Sequence, residues 1–461
     1  MSKTNQSASN LSKQKPQEGS LGLLACVTMI AGGMIGSAIF SLSGMTLYYA
    51  GPAALFSWII AAIILLMYGL QVAELSTIFP KSGGVFVFPS KALGKTETQG
   101  KIWGWFSVWG YVFSNIAGIS FSAIYVATYL GVGFPAFDGM QVPLAVGAVV
   151  LCSVLNFYKI SVAGKANTAL VAVLVGTMLV YIGVGLFGGQ WDSSMLTPFF
   201  SQGAMGSTGF ISAIPNAMVA YGSIVAIAFM VSEVKNPNKN VPKSIAIAMG
   251  IVVTLYAFII IATVGLVATG FLIDNPGMRF IPLYAAAFTK LGMYPWLTQV
   301  ISISAVMALL TTILVLIAIT SRAIHATAEG GLLPKFLGQT YKDTGVPLNA
   351  TISVAVISAV ISSMPQFTEQ IVNLGSLFAA ITIVINSFSL LEARKKFEHI
   401  PGNYRAPGGS VVPIVTMSVI VATYIPKVFD GTAVLSFTFI WYAVAALILA
   451  VNLRNIKSKS S

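Results

Sequence analysis

Charge is what this sequence has least of. Only 8% of its 461 residues are Asp, Glu, Lys or Arg, against about 25% in ordinary soluble domains. The two histidines, His325 and His399, both lie in polar stretches, so no histidine relay crosses an apolar segment. The two cysteines, Cys26 and Cys152, each sit inside an apolar run, which excludes a disulfide framework and metal-ligand spacing. No nucleotide-binding loop or nucleophile constellation appears, and no polar stretch is long enough to form a soluble catalytic domain. Neither an enzyme nor a metal or organic cofactor is expected. What is present is apolar: 56% of residues are hydrophobic and the mean hydropathy is +0.86. That is the composition of a polytopic membrane protein.

Twelve apolar segments are long enough to span a bilayer at about 20 residues each. They cover 21–47, 53–75, 102–131, 140–158, 167–188, 208–232, 244–270, 295–321, 347–364, 370–391, 411–426 and 433–453, the eleventh being the shortest. Residues 1–20 are rich in Ser, Gln and Lys and are expected to be a disordered cytoplasmic arm. They are not read as a signal peptide, because the apolar run behind them is too long and lacks a small-residue cleavage site. Residues 454–461 read as a basic cytoplasmic tail.

The net charge of +12 has a topological explanation. Of the 25 Lys and Arg, all but Arg279, Lys290 and Lys427 fall in loops on the same side as the N-terminus. The positive-inside rule then places both termini in the cytoplasm, and no nucleic-acid partner is needed; the membrane expected is the plasma (cell inner) membrane. No charged residue lies in the middle of a span. Glu74, Glu233 and Glu392 close spans two, six and ten at their cytoplasmic ends. Buried charges mark ion paths in many carriers. Their absence favours a site made of backbone, hydroxyls and aromatics.

The first span carries the conspicuous interruption. Ile30 to Phe40 reads Ile-Ala-Gly-Gly-Met-Ile-Gly-Ser-Ala-Ile-Phe, with Gly32, Gly33 and Gly36 followed at once by Ser37. Each glycine weakens a helix by about 1 kcal/mol relative to alanine. At membrane depth, backbone freed from a helix is tolerated only inside protein or along a cavity. The same Gly32-x-x-x-Gly36 pattern also suits close helix packing. Five spans later, span six repeats the feature with Gly222-Ser223 near its centre. Matched interruptions in two halves point to a transporter site at the interface of inverted repeats. The repeats would be 21–188 and 208–391, with 411–453 forming two further helices.

These residues resemble the amino acid–polyamine–organocation (APC) superfamily of transporters. Gly32-Gly-Met-Ile-Gly-Ser-Ala-Ile-Phe40 is similar to its first-helix motif. Ala73-Glu-Leu-Ser-Thr-Ile-Phe-Pro-Lys-Ser-Gly-Gly84 and Ser232-Glu-Val-Lys-Asn-Pro-Asn-Lys-Asn-Val-Pro242 look like the signatures after its second and sixth helices. Ala328-Glu-Gly-Gly-Leu-Leu-Pro-Lys-Phe336, Val346-Pro347 and Tyr404-Arg-Ala-Pro407 match later loops in the right order. The fold implied is an all-α integral membrane protein of twelve transmembrane helices. It is a five-plus-five inverted repeat with broken helices 1 and 6, plus two extra C-terminal helices.

The resemblance also implies a site. The substrate's α-carboxylate would be held by freed N–H groups around Ser37 and Ala38, where a half-helix N-terminus presents donors and a positive dipole. The α-amino group would be held by freed carbonyls around Ile30, Gly32 and Gly33 and around Ala220, Tyr221, Gly222 and Ser223. Met34, Gly36 and Ile224 flank them. Asn115 aligns with a position touching the substrate side chain; its other reading is an interhelical hydrogen bond, typically about 0.6 kcal/mol. Tyr221 is either an aromatic lid or a packing residue. Trp103, Trp105 and Trp109 read as interfacial anchors. Glu74 and Glu233 are the nearest candidates for coupling or gating, and the alternative for both is a cytoplasmic ion pair with Lys81 or Lys235.

The departures narrow the substrate. Arginine/agmatine-type exchangers carry tryptophan and glutamate where this chain has Val219 and Val225, which disfavours a large cation. The lysine found inside span five of several relatives falls near Leu174. Ser302, Ser304, Thr311 and Thr312 are the candidates for sodium ligation. The function expected is secondary active transport of an amino acid or related amine across the plasma membrane by alternating access. Protons are an optional coupling ion, and the partners are the small-molecule substrate and the bilayer. The alternatives are an obligate amino acid/amine exchanger coupled to a decarboxylation pathway and, more remotely, a channel or a non-transporting sensor.

Overall fold

The computed structural model describes residues 21–80, 83–157, 160–229, 231, 234–292, 294–341, 345–397, 403–429 and 432–457. Each of the twelve apolar segments is helical. Segment one is split into α1 (Leu23–Met34) and α2 (Ser37–Ala50). The chain continues with α3 (Ala54–Ile78), a short α4 (Gly84–Ala92), α5 (Glu97–Gly133), α6 (Gln141–Leu155) and α7 (Ile160–Phe187). Segment six is α8 (Gly209–Ala220) followed by a 3₁₀ stretch, Gly222–Phe229. Then come α9 (Pro237–Val264), two short helices α10 (Thr269–Asp274) and α11 (Pro282–Lys290), and α12 (Pro295–Glu329). The last four are α13 (Leu348–Ser362), α14 (Thr368–Lys396), α15 (Val411–Phe429) and α16 (Thr432–Lys457). No strand occurs among the described residues; Leu21 and Val234 form an isolated bridge.

Six helical stretches are long and apolar enough to cross a membrane by themselves: Ser37–Ile78, Glu97–Gly133, Gly206–Ile227, Pro237–Val264, Trp296–Glu329 and Pro365–Lys396. Leu23–Met34, Gln141–Leu155, Val171–Phe187, Leu348–Ser362, Val411–Ile425 and Ser436–Asn452 are shorter apolar helices. The chain is thus an all-helical, multi-pass membrane protein. Within Ser37–Ile78 the α-helix is interrupted by a 3₁₀ turn, Gly51–Ala53. Gly51 has φ +59°, and a Cβ there would lie 2.8 Å from Gln202 Cβ, so glycine is required on both counts.

Two groups of helices enclose the interior. The long α5 packs along α12 and α14, with α4 and α6 beside it. Opposite, α1 and α2 pack on α9 and α8, and α3 packs on both α8 and α9. A ring cluster joins the second group: Trp58 lies edge-on to Tyr221 (6.0 Å) and Tyr256 (5.2 Å). The expected interfacial role fails for Trp105 and Trp109. Trp105 is fully buried, and the two indoles donate to the Ala445 and Trp441 carbonyls of α16, at 3.0 and 3.1 Å. A helix this rich in tryptophan reads the same whether it faces a headgroup layer or another helix. Of these three tryptophans, Trp103 is the exposed one.

Candidate substrate site

The first interruption is tight. The last α-helical bond of α1 runs from Ile35 N–H to Ala31 O at 2.7 Å, and Gly36 N–H turns back onto Met34 O at 2.7 Å. Helix α2 starts immediately, at Ser37. The expected break over Gly32–Ser37 is therefore confined to Ile35–Gly36, and Gly32 and Gly33 remain helical. The first-turn amides of α2 have no carbonyl four residues back in the helix. One of them, Ser37 N–H, donates to Thr312 Oγ1 of α12 at 3.1 Å. At the other end of the gap, Tyr256 OH donates to Met34 O at 2.6 Å.

The second interruption faces the first. α-Helical bonding in α8 stops at Ala220. Tyr221 N–H bonds Met218 O and Ile224 N–H bonds Tyr221 O, both at 3.1 Å, so the backbone tightens into a 3₁₀ helix rather than unwinding. Ser223 Oγ crosses to α1 and donates to Gly33 O at 2.8 Å.

A cavity of about 140 Å³ opens between the two interruptions. One wall is backbone and small residues: Gly33, Gly36, Ser37, Ala38, Gly222 and Ser223. Further lining comes from α3, α5, α14 and α15, with Tyr68, Tyr111, Asn115, Thr382 and Tyr424. Among the described residues, its lining contains no Asp, Glu, His, Lys or Arg.

A family model described as amino acid permease matches residues 21–451. The chain belongs to the amino acid permease family. It is 27% identical to a branched-chain amino acid permease of Lactococcus lactis, over 83% of this chain and 84% of that one. It is 25% identical to a methylthioribose transporter of Bacillus subtilis, over 95% and 94%. A serine/threonine exchanger of Bacillus subtilis is 23% identical over 86% and 88%. The permease is accordingly a membrane transporter of the amino acid class and not an enzyme.

Within the permease, the cavity gathers Gly33, Met34, Gly36, Ser37, Ala38, Asn115, Ala220, Gly222 and Ser223. Four expected residues do not line it. Ile30 and Gly32 belong to the buried interior of α1. Ile224 packs over Gly69 of α3, where an added Cβ would lie 2.6 Å from its Cδ1. Tyr221 is fully buried in the Trp58–Tyr256 cluster, so in this structure its ring packs and does not cover the cavity. The phenols Tyr68, Tyr111 and Tyr424 are lining residues that the sequence did not single out. Nothing in an apolar helix separates a lining tyrosine from a packed one. Thr312 lines the cavity, while Ser304 bonds Thr177 at 2.8 Å and Thr311 bonds the Ala308 carbonyl at 2.8 Å.

Glu74 lies away from the cavity, at the end of α3. Its carboxylate accepts from Arg394 Nε at 2.8 Å, Arg394 Nη2 at 2.5 Å and Ala406 N–H at 2.7 Å. Both side chains are buried. The ion-pair alternative therefore finds its partner in Arg394 of α14, 320 residues away; Lys81 lies outside the described residues, as does Glu233. The loop that joins α14 to α15 wraps this pair. Arg394 Nη1 donates to Gly409 O at 2.5 Å, and Asn403 Nδ2 donates to Thr77 O at 3.2 Å. Burial pushes the neighbouring Tyr404 phenol up to about 12, with the Glu74 charge adding to the effect and Arg394 opposing it.

Proposed function

We propose that the permease carries a small neutral amino acid as its zwitterion, by alternating access, through the cavity between the two interruptions. The observation that carries this reading is a cavity bounded by helix ends, with no charged side chain among the described residues of its lining. The N-terminus of α2 offers N–H donors and a positive dipole to a carboxylate. The C-terminal ends of α1 and α8 offer carbonyls to an ammonium group. Ser37 and Ala38 take the carboxylate, and Gly33 and Ala220 take the ammonium. Asn115 and the phenols face the side chain.

Size and charge set the substrate class. A cavity of about 140 Å³ is small beside the roughly 300–1,000 Å³ of drug-sized ligand pockets. Val219 and Val225 line it without contributing charge. A dication would meet no carboxylate there, and leaving a charge unpaired in such a site is costly. The relatives named for branched-chain amino acids and for serine and threonine transport substrates of this size and charge class.

The same reading makes each of the twelve apolar segments a span, pairs residues 21–188 with 208–391 as inverted repeats and keeps both termini cytoplasmic at the plasma membrane. The lopsided distribution of Lys and Arg supports the orientation, and the paired interruptions support the repeat. The test is uptake of labelled amino acids and amines into liposomes holding the purified protein, with and without imposed pH and sodium gradients. Saturable uptake of neutral amino acids upholds the proposal. Flux without saturation would make the protein a channel, and binding without flux would make it a sensor.

A further inference from the structure

We propose that Thr312 is a positioning residue that competes with the substrate carboxylate for the Ser37 amide, so that binding must displace it. The inference rests on the reading that the carboxylate docks at the N-terminus of α2. It concerns what stands in the way there.

Thr312 lines the cavity from α12, and its hydroxyl oxygen accepts the Ser37 N–H at 3.1 Å. The hydroxyl proton is engaged as well, donated to the Ala308 carbonyl at 2.9 Å within the same helix. The oxygen is seated against the interruption itself, since a Cβ added to Gly36 would collide with Thr312 Oγ1. The first donor of α2 is thus already satisfied by a side chain from a neighbouring helix.

The other pole of the cavity differs in kind. Ser223 Oγ donates to the Gly33 carbonyl, but a carbonyl oxygen has two lone pairs and can accept a second donor. An ammonium group and Ser223 can therefore share Gly33 O. An amide has one proton, so a carboxylate and Thr312 cannot both take Ser37 N–H on full terms. The substrate must exchange one hydrogen bond for another at the carboxylate pole, whereas at the ammonium pole it adds one.

Two consequences follow. Removing the Thr312 hydroxyl leaves Ser37 N–H free for the substrate and tightens binding. Displacement also breaks a hydrogen bond that joins α12 to α2, so occupancy of the cavity loosens the contact between those helices.

The experiment measures dissociation constants on purified, monodisperse Thr312→Ala and Thr312→Ser, using L-leucine and L-serine as probes. Both variants lose the threonine methyl, and only serine keeps the hydroxyl. We expect Kd in Thr312→Ala to lie about three- to tenfold below that in Thr312→Ser, the range of one hydrogen bond. A purely structural role for Thr312 moves Kd the other way, so an equal or higher Kd in Thr312→Ala overturns the proposal. If Thr312→Ala yields no folded protein, Thr312→Val compared with the wild type removes the hydroxyl at nearly constant shape, with the same direction of change in Kd expected. Isoamylamine and ethanolamine, which lack the carboxylate, test the docking of the carboxylate independently of Thr312. If either displaces its parent amino acid with equal affinity, or if neither amino acid binds, the docking reading falls and the proposal with it. If the carboxylate is required and the two variants bind alike, the Thr312 proposal alone fails.

Discussion

Ser223 Oγ donates to the Gly33 carbonyl at 2.8 Å, tying the second helix interruption to the last turn before the first. The pair is closely fitted: a Cβ on Gly33 would stand 2.9 Å from Ser223 Cβ. Ser223→Ala removes the bond and leaves the carbonyl short of a partner. A loss of about 1 kcal/mol in stability is expected, seen as a lower melting temperature in detergent. An unchanged melting temperature would mean that the contact does not hold the two helices together.

Glycine substitutions should separate by position. In Gly36→Val the new side chain meets Thr312 directly, and overpacking of this kind costs about 1–3 kcal/mol. The variant is expected to reach the membrane and to lose uptake. Gly222 has nothing within 4 Å of an added Cβ, so Gly222→Ala is expected to fold and to disfavour bulkier substrates by narrowing the cavity. Uptake by Gly36→Val at the wild-type rate, with normal expression, would contradict the backbone site.

How much of this was legible in the sequence depends on the range of the signal. The apolar runs marked the long helices, because a long apolar stretch must satisfy its backbone internally; even 411–426, the shortest run, is the core of α15 and supplies Tyr424 to the cavity. The glycine clusters marked both interruptions. They overstated the first, because Gly32 and Gly33 permit a break without compelling one, and helix bonding persists to Ile35 N–H. Of the lining from α3, α5, α14 and α15, only Asn115 was legible. Tyr68, Tyr111, Thr382 and Tyr424 come from four helices, and hydroxyls in apolar helices serve packing as often as recognition. The pairing of Glu74 with Arg394 was hidden for a similar reason: Lys81 is the cation near it in sequence, while the partner comes from the end of α14.

That pairing makes its own prediction. Removing one member of a buried ion pair strands the other and costs about 3–5 kcal/mol. Glu74→Gln and Arg394→Gln should each lower expression and melting temperature, and the double variant should lose less than the sum of the two. The pH dependence of uptake by the protein that remains should match the wild type. Normal expression of Glu74→Gln with loss of proton-driven accumulation would instead give Glu74 a coupling role.

The central claim is that a cavity without charged side chains, set between two helix ends, carries a small zwitterion. Its most direct test is counterflow of labelled L-leucine and L-serine in liposomes containing the purified protein, with unlabelled amino acids and amines as competitors. The account predicts saturable counterflow of at least one of the two, competed by other small neutral amino acids and unaffected by putrescine or agmatine. Strong uptake of putrescine or agmatine, with no amino acid competing, would contradict it.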